Sequence, residues 1–437
     1  ALLVIASFAL SPRVRHVEGF FRGLSATGQA PTLLTLVLSQ VTTWIFARSL
    51  MNAAILGFYY GIAGALAYTG YYLSFLTGAA IVDSIRFRHG YNSIQDFLRS
   101  RFGTAGTACY NALVGVRLVS EVFANLLVVG IIFGAAGSLA NTASIGIIAA
   151  LTLAYSMLGG LRASLRTDVL QMTLLLGVLG ALLMQIAFGP GFQIGAILGS
   201  SPAVDGPGWV LLAVAALQVW SYPLHDPVMM DRGLIADRKT TRRSFLHAAW
   251  LSGLCILAFG VIGVEAGLAS VDGEAMMATL GRMLDPMTLL LFNLVLVISA
   301  VSTLDSTLSS ASKLAVVDMG LGRATVRNGR IAMAAFMLAG LALLFTGSQD
   351  LYSATAVSGT AAMYLVPVIF VTIWAGRPVA AWSYVASFAL AMAGAALYFL
   401  EAGGHVGLLA PLTGLEHKYS KLLVICLVVL AGGFATF

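Results

Sequence analysis

The chain has 437 residues, of which 59% are hydrophobic and only 10% charged, with a mean hydropathy of +0.92. That balance excludes an ordinary soluble domain and points to an all-α polytopic membrane protein. The net charge of +6 needs no nucleic-acid partner, because the basic residues crowd into alternate loops, and Cys109, Cys255 and Cys426 are too isolated to suggest a metal site or a disulfide framework.

A membrane span needs about 20 mostly apolar residues to cross roughly 30 Å of hydrocarbon. On that criterion the sequence predicts thirteen helices, near 1–10, 29–56, 58–83, 104–137, 142–158, 166–188, 208–224, 244–270, 286–313, 330–346, 351–374, 378–401 and 420–437. The first starts directly in apolar sequence and is too short to span, so the expectation is that residues precede Ala1. A signal peptide fits less well, because the basic flank follows the apolar run. The 47 glycines suit helices that pack with their backbones close together. Loops after the odd-numbered spans hold most of the basic residues, from Arg13, Arg15 and Arg22 to Arg232, Arg238, Arg242 and Arg243, and on to Arg323, Arg327 and Arg330. The intervening loops hold only Arg282, Lys418 and Lys421, so the positive-inside rule places the amino terminus outside and the carboxy terminus in the cytoplasm of a cell-membrane protein.

In chain order, the second span groups Val41, Thr42, Thr43, Trp44 and Ile45, a weak sign of unwinding because no Gly or Pro is present. Arg48 follows with no acidic residue within a turn, so it needs a substrate carboxylate or a distant partner such as Glu121. In the fourth span Arg117 lies near the midplane with Glu121 at i+4, the spacing of an internal ion pair. Between Trp220 and Pro227 two prolines either break a helix at depth or end it at the cytoplasmic surface, and His225 reads as interfacial. The ninth span carries Ser299, Ser302, Thr303, Asp305 and Ser306 inside an apolar run. Hydroxyls and a carboxylate in hydrocarbon mark a functional site, and oxygen-only ligands suit a hard cation such as sodium.

The string Tyr155-Ser156-Met157-Leu158-Gly159-Gly160-Leu161-Arg162-Ala163, with Thr167-Asp168-Val169-Leu170-Gln171 after it, resembles a pattern of the sodium/solute symporter family (solute carrier 5-like). Ser299 to Ser306 is similar to that family's sodium-site helix, and Arg101-Phe102-Gly103 also fits. The resemblance implies a leucine-transporter-like core of five plus five helices in inverted repeat. One helix would precede the core (1–28), the halves would be 29–188 and 189–374, and two helices would follow (375–437). It implies a main sodium site at Thr42, Ile45, Ser299, Ser302 and Thr303, with Ser299 acting through its carbonyl. A possible second site comprises Asp168, Ser302, Asp305 and Ser306; Asp168 could instead cap a helix or pair with Arg162 or Arg166.

The resemblance further implies a solute pocket drawing on Trp44, Arg48, Ser49, Glu121, Asn125, Gln218 and Tyr222, with Ser353 or Thr355 as additions. The arginine favours an anionic or zwitterionic solute, a small carboxylate or an amino acid. The expected function is therefore sodium-coupled import by alternating access, in a monomer embedded in the lipid bilayer with Na+ as coupling ion and no organic cofactor. A solute-sensing membrane domain, fused to or associated with a signalling module, is the alternative from another class; proton coupling through Asp305 or Glu121 is the variant within the same one. No nucleophile motif, metal-ligand cluster or phosphate loop suggests an enzyme.

Overall fold

The computed structural model describes residues 2–189, 192–346 and 351–437, apart from the side chains at 2, 345–346 and 351–356. The principal helices are α1 Leu2–Leu10, α2 Leu33–Trp44, α3 Ala47–Gly70, α4 Ile94–Phe133, α5 Leu139–Gly159, α6 Leu161–Ala187 and α7 Pro207–Gln218. They continue as α8 Pro227–Gly233, α9 Arg238–Leu268, α10 Pro286–Lys313, α11 Val326–Thr346, α12 Leu351–Ala362, α13 Ala381–Ala402 and α14 Lys418–Thr436. Among the described residues there is no strand, and nine helical segments are long and apolar enough to cross a membrane. The chain is a multi-pass membrane protein.

Side-chain caps start many of these helices where the chain leaves a loop. Ser93, Ser138, Asp226, Asp237 and Asp285 each accept a backbone N–H of the first turn, satisfying donors that have no partner inside the helix.

Among the described residues, α3 kinks at Gly61 and α4 at Gly103, and two further interruptions separate α2 from α3 and α7 from α8. After Trp44 the backbone leaves helical geometry at Ile45 (φ −87°, ψ 68°) and Phe46 (φ −97°, ψ 158°), and α3 begins at Ala47. The second interruption runs from Val219 to Asp226, between α7 and α8, with Pro227 at the first helical position of α8, where its missing N–H costs nothing. The double-proline segment therefore runs from the end of α7 into the first turn of α8.

Small residues bring α9 onto α3. A methyl group at Gly263 would lie 1.9 Å from the Ala54 carbonyl oxygen, and one at Gly267 would lie 2.4 Å from that of Phe58, so only glycine allows this approach. Gly160 turns α5 into α6 at φ 57°, and a Cβ there would meet the Phe20 carbonyl oxygen at 2.4 Å. The paired glycines of the motif are thus demanded by a left-handed turn beside close backbone. Helix α10 packs on α6 and α2, which sets the polar residues of all three helices against one another.

Candidate ion and solute site

The break after α2 faces the polar stretch of α10. The Ser299 hydroxyl donates to the Ile45 carbonyl, and Thr303 Oγ1 donates to the Thr42 carbonyl at 3.4 Å. The threonines of α2 turn their hydroxyls inward, Thr42 to Leu38 O at 2.7 Å and Thr43 to Gln40 O at 2.7 Å. What α2 offers to α10 is therefore carbonyl oxygen, at the helix end where the macrodipole is negative. All five residues expected at the main ion site converge here or one turn away, and all are buried. Ser299 differs from expectation in one respect: its hydroxyl points at the break.

One turn along α10 lies a fully buried charged cluster. Asp168 Oδ2 accepts from Ser39 Oγ at 2.5 Å and pairs with Arg232 Nη2 at 3.2 Å, while its Oδ1 faces Ser302 Oγ and Ser306 Oγ, each at 3.4 Å. Asp305 accepts from Tyr155 OH at 2.9 Å, Thr167 Oγ1 at 2.8 Å and Ser164 Oγ at 3.1 Å. Arg232 also donates to Ser39 at 2.6 Å and Ser306 at 2.8 Å. One guanidinium thus pairs with Asp168 and is linked to Asp305 through the hydroxyls of Ser164 and Ser306, and none of Asp168, Asp305, Arg232, Ser302 and Ser306 is more than 2% exposed. The four residues expected at the second ion site do meet. The alternative partner for Asp168 was misjudged: it is Arg232, whereas Arg162 donates to the Leu24 carbonyl. Arg232 is no loop charge either, because it sits buried on the short half-helix α8.

A second buried network runs beside the first break. Arg48 Nη2 pairs with Glu121 Oε1 at 2.7 Å, Arg117 Nη2 lies 2.9 Å from the same oxygen, and Arg117 continues to Asp226 at 3.0 Å. The i+4 pair expected at Arg117 and Glu121 is present and forms the middle of a chain of alternating sign. At its Arg48 end it is incompletely satisfied. Arg48 Nε and Nη1, Glu121 Oε2, Asn125 Oδ1 and Trp44 Nε1 are buried without a hydrogen-bond partner among the described residues. Buried polar atoms seldom stay unpaired, so these atoms indicate where a polar molecule would bind. Adjacent to them Trp44, Phe46, Ser49, Tyr68, Tyr71, Tyr72 and Tyr222 enclose a cavity of ≈ 10 Å³, room for about one water.

The expected solute residues divide into groups. Trp44, Ser49 and Tyr222 line the cavity, and Arg48, Glu121 and Asn125 form the neighbouring network. Gln218 lies beyond Tyr71, accepting its hydroxyl at 2.8 Å and donating to Thr360 at 3.2 Å. Ser353 and Thr355 lie outside the residues whose side chains are described. His225 is not interfacial: it is fully buried, with ring nitrogens 2.9 Å from Tyr222 O and 3.0 Å from Ser358 Oγ. Sequence reasoning missed Arg232, Ser39, Ser164 and Asp226, together with the tyrosines Tyr68, Tyr71 and Tyr72. The tyrosines carried a usable signal, since spacings of three and four place them on one helical face.

On the face richest in arginine, Lys313 lies 2.8 Å from Asp231 and 2.9 Å from Asp318. These three residues border a vestibule of ≈ 400 Å³ that also contacts Arg22, Arg86 and Arg99. The ionic contact ties α8, which carries Asp231 and Arg232, to the end of α10.

No protein-family model matches the sequence, and no curated protein matches it. Solved structures do resemble it in fold. One is a Na+-coupled sialic acid symporter in a substrate-bound, outward-open state described as revealing a novel Na+ site, with a TM-score of 0.72 and 16% identity over 100% of this chain and 95% of that one. Another is Mhp1, a nucleobase-cation-symport-1 family transporter in a closed conformation with bromovinylhydantoin bound; here the TM-score is 0.55 and the identity 15%, over 93% of this chain and 94% of that one. The chain thus has the leucine-transporter-like fold expected of it.

Proposed function

We propose that this protein is a sodium-coupled secondary active symporter of the sodium/solute symporter family, importing a small zwitterionic or anionic solute by alternating access. The observation that carries the reading is the buried charge imbalance of two carboxylates, Asp168 and Asp305, against one arginine, Arg232. A net negative charge at that depth needs a neutralising cation, and the surrounding ligands are all oxygen. Asp305 is met by the hydroxyls of Tyr155, Thr167 and Ser164, so its carboxyl lies among further oxygen ligands. Similarity of fold to a Na+-coupled symporter supports sodium as the ion.

In this reading one sodium joins the carbonyls of Thr42 and Ile45 to Ser299, Ser302 and Thr303, and a second is held by Asp168, Ser302, Asp305 and Ser306. The first ion ties the broken helix to α10 and so completes the solute pocket on α3, which makes ion and solute binding reciprocally favourable. The solute's carboxylate meets the free N–H groups of Arg48, and its ammonium or hydroxyl meets Glu121 Oε2 and Asn125 Oδ1. The cavity must enlarge to admit it, which requires the half-helices to move. The basic face is cytoplasmic, the amino terminus outside, and a monomer suffices because both halves of the core lie in one chain.

The test compares thermal unfolding of detergent-purified protein in sodium and in potassium at equal ionic strength, with Ser302→Ala/Thr303→Ala alongside. A ligand at a hundredfold excess over its Kd stabilises by about 2.7 kcal/mol, and the double substitution is expected to abolish that gain. Equal stability in the two cations, with uptake into proteoliposomes driven by a pH gradient, would replace sodium by the proton.

A further inference from the structure

A second basic concavity lies apart from the transport path, where α1, α5 and α11 end together on the arginine-rich face. Arg13 and Arg15 follow α1, Arg327 and Arg330 occupy the first turns of α11, and Val14, Leu158 and Val326 complete the wall of a cavity of ≈ 380 Å³. No acidic residue lines it, and none of the four arginines is ion-paired among the described residues. Arg330 is fixed in place by donating to the Met157 carbonyl at 2.7 Å, across from α11 to α5. The amino-terminal turn of α11 adds the positive end of its dipole.

Four exposed guanidinium groups around one cavity, with no carboxylate among its lining, make a positive potential that favours an anion there. The helices that form the pocket are outer helices, and apolar side chains face outward close by: Leu10 is 43% exposed, three residues before Arg13, and Ile331 is 57% exposed, immediately after Arg330. Cationic headgroup pocket and acyl-facing surface are therefore continuous. We propose that this pocket binds the headgroup phosphate of an anionic phospholipid, with the four arginines as its ligands and the acyl chains lying against α1 and α11. Bidentate guanidinium geometry suits phosphate, and basic pockets between membrane helices are a known setting for such headgroups.

The experiment titrates the purified full chain with phosphatidylglycerol, phosphatidylcholine and soluble glycerol phosphate, read by native mass spectrometry. Arg13→Gln/Arg327→Gln spares the Arg330 contact to α5, and Arg242→Gln/Arg243→Gln on the same face serves as control. Phosphatidylglycerol is expected to bind the wild type selectively. The first pair should weaken it about thirtyfold, for two charges of about 1 kcal/mol each, and the control pair should leave it unchanged. Equal binding of phosphatidylcholine, or equal loss in both pairs, would overturn the site. Glycerol phosphate binding as tightly as the lipid would overturn the lipid assignment in favour of a soluble phosphate.

Discussion

The network around Arg232 and the network around Arg117 are both buried, both built from arginine and carboxylate, and differ by one charge. Arg232 faces Asp168 with Asp305 close by, two acids to one base, whereas Arg48, Glu121, Arg117 and Asp226 balance. The unbalanced cluster is saturated with hydroxyls, and the balanced one leaves guanidinium N–H groups and a carboxylate oxygen unpaired. The first arrangement asks for a cation, the second for a molecule with its own donors and acceptors. Electroneutrality and hydrogen-bond satisfaction are the physical grounds on which the proposed function gives the two networks different ligands.

The largest effect is expected at Arg232. Arg232→Ala leaves the buried Asp168 without its guanidinium, with Asp305 close by, and should cost about 3–5 kcal/mol in chemical unfolding. Asp305→Asn restores the balance, so in potassium its stability should equal or exceed the wild type while the gain on adding sodium falls to the share of the ion at Thr42, Ile45 and Ser299. A variant whose sodium gain is undiminished would show that Asp305 plays no part in cation binding.

The balanced network should respond differently. In a cycle of Arg48→Ala and Glu121→Gln the coupling energy is expected at about 1–3 kcal/mol in stability, with no change in the sodium increment. Uptake of a carboxylate by Arg48→Ala should show a raised apparent KM. Coupling near zero would mean that the two side chains do not rely on each other, and the contrast between the networks would lapse.

The smallest effect is expected at a third ion pair, on the opposite side from the arginine-rich face. A hydrogen bond from Arg282 holds the Glu274 carboxyl down at about 2, against an ordinary value of 4.5. Because the folded value is the lower one, the stabilisation is complete above the ordinary value and disappears as pH falls through about 2. Amide exchange at Val271, whose N–H donates to Glu274, should quicken as pH falls below 4.5, after correction for intrinsic rates, and Glu274→Gln should remove that dependence. The effect is small because the pair is at the surface, where water screens it.

The polar stretch of α10 was legible because hydroxyls and a carboxylate stand out in an apolar run. Tyr155 and Thr167, present only as parts of a motif, prove to be donors to Asp305. Arg232 was illegible for a physical reason: five residues before Asp237, at the edge of a basic loop, it has the sequence setting of a positive-inside charge. Only the short length of α8, which turns the chain back into the protein, separates it from Arg238 and Arg242.

Composition and hydropathy by themselves determined that the chain spans a membrane many times, since an apolar segment long enough to cross cannot remain in water. Spacing determined the Arg117–Glu121 pair, because i+4 neighbours on a helix must meet. The break at Ile45 and Phe46 was decided by tertiary structure. No glycine or proline enforces it, and the backbone groups released there are held by distant residues, Trp44 O by Tyr72 OH at 2.5 Å and Ile45 O by the Ser299 hydroxyl. The partner of Asp168 and the close approach of α3 to α9 were settled in the same way, because burial gives a charge or a carbonyl no water to fall back on and leaves its choice to whatever the fold brings within reach.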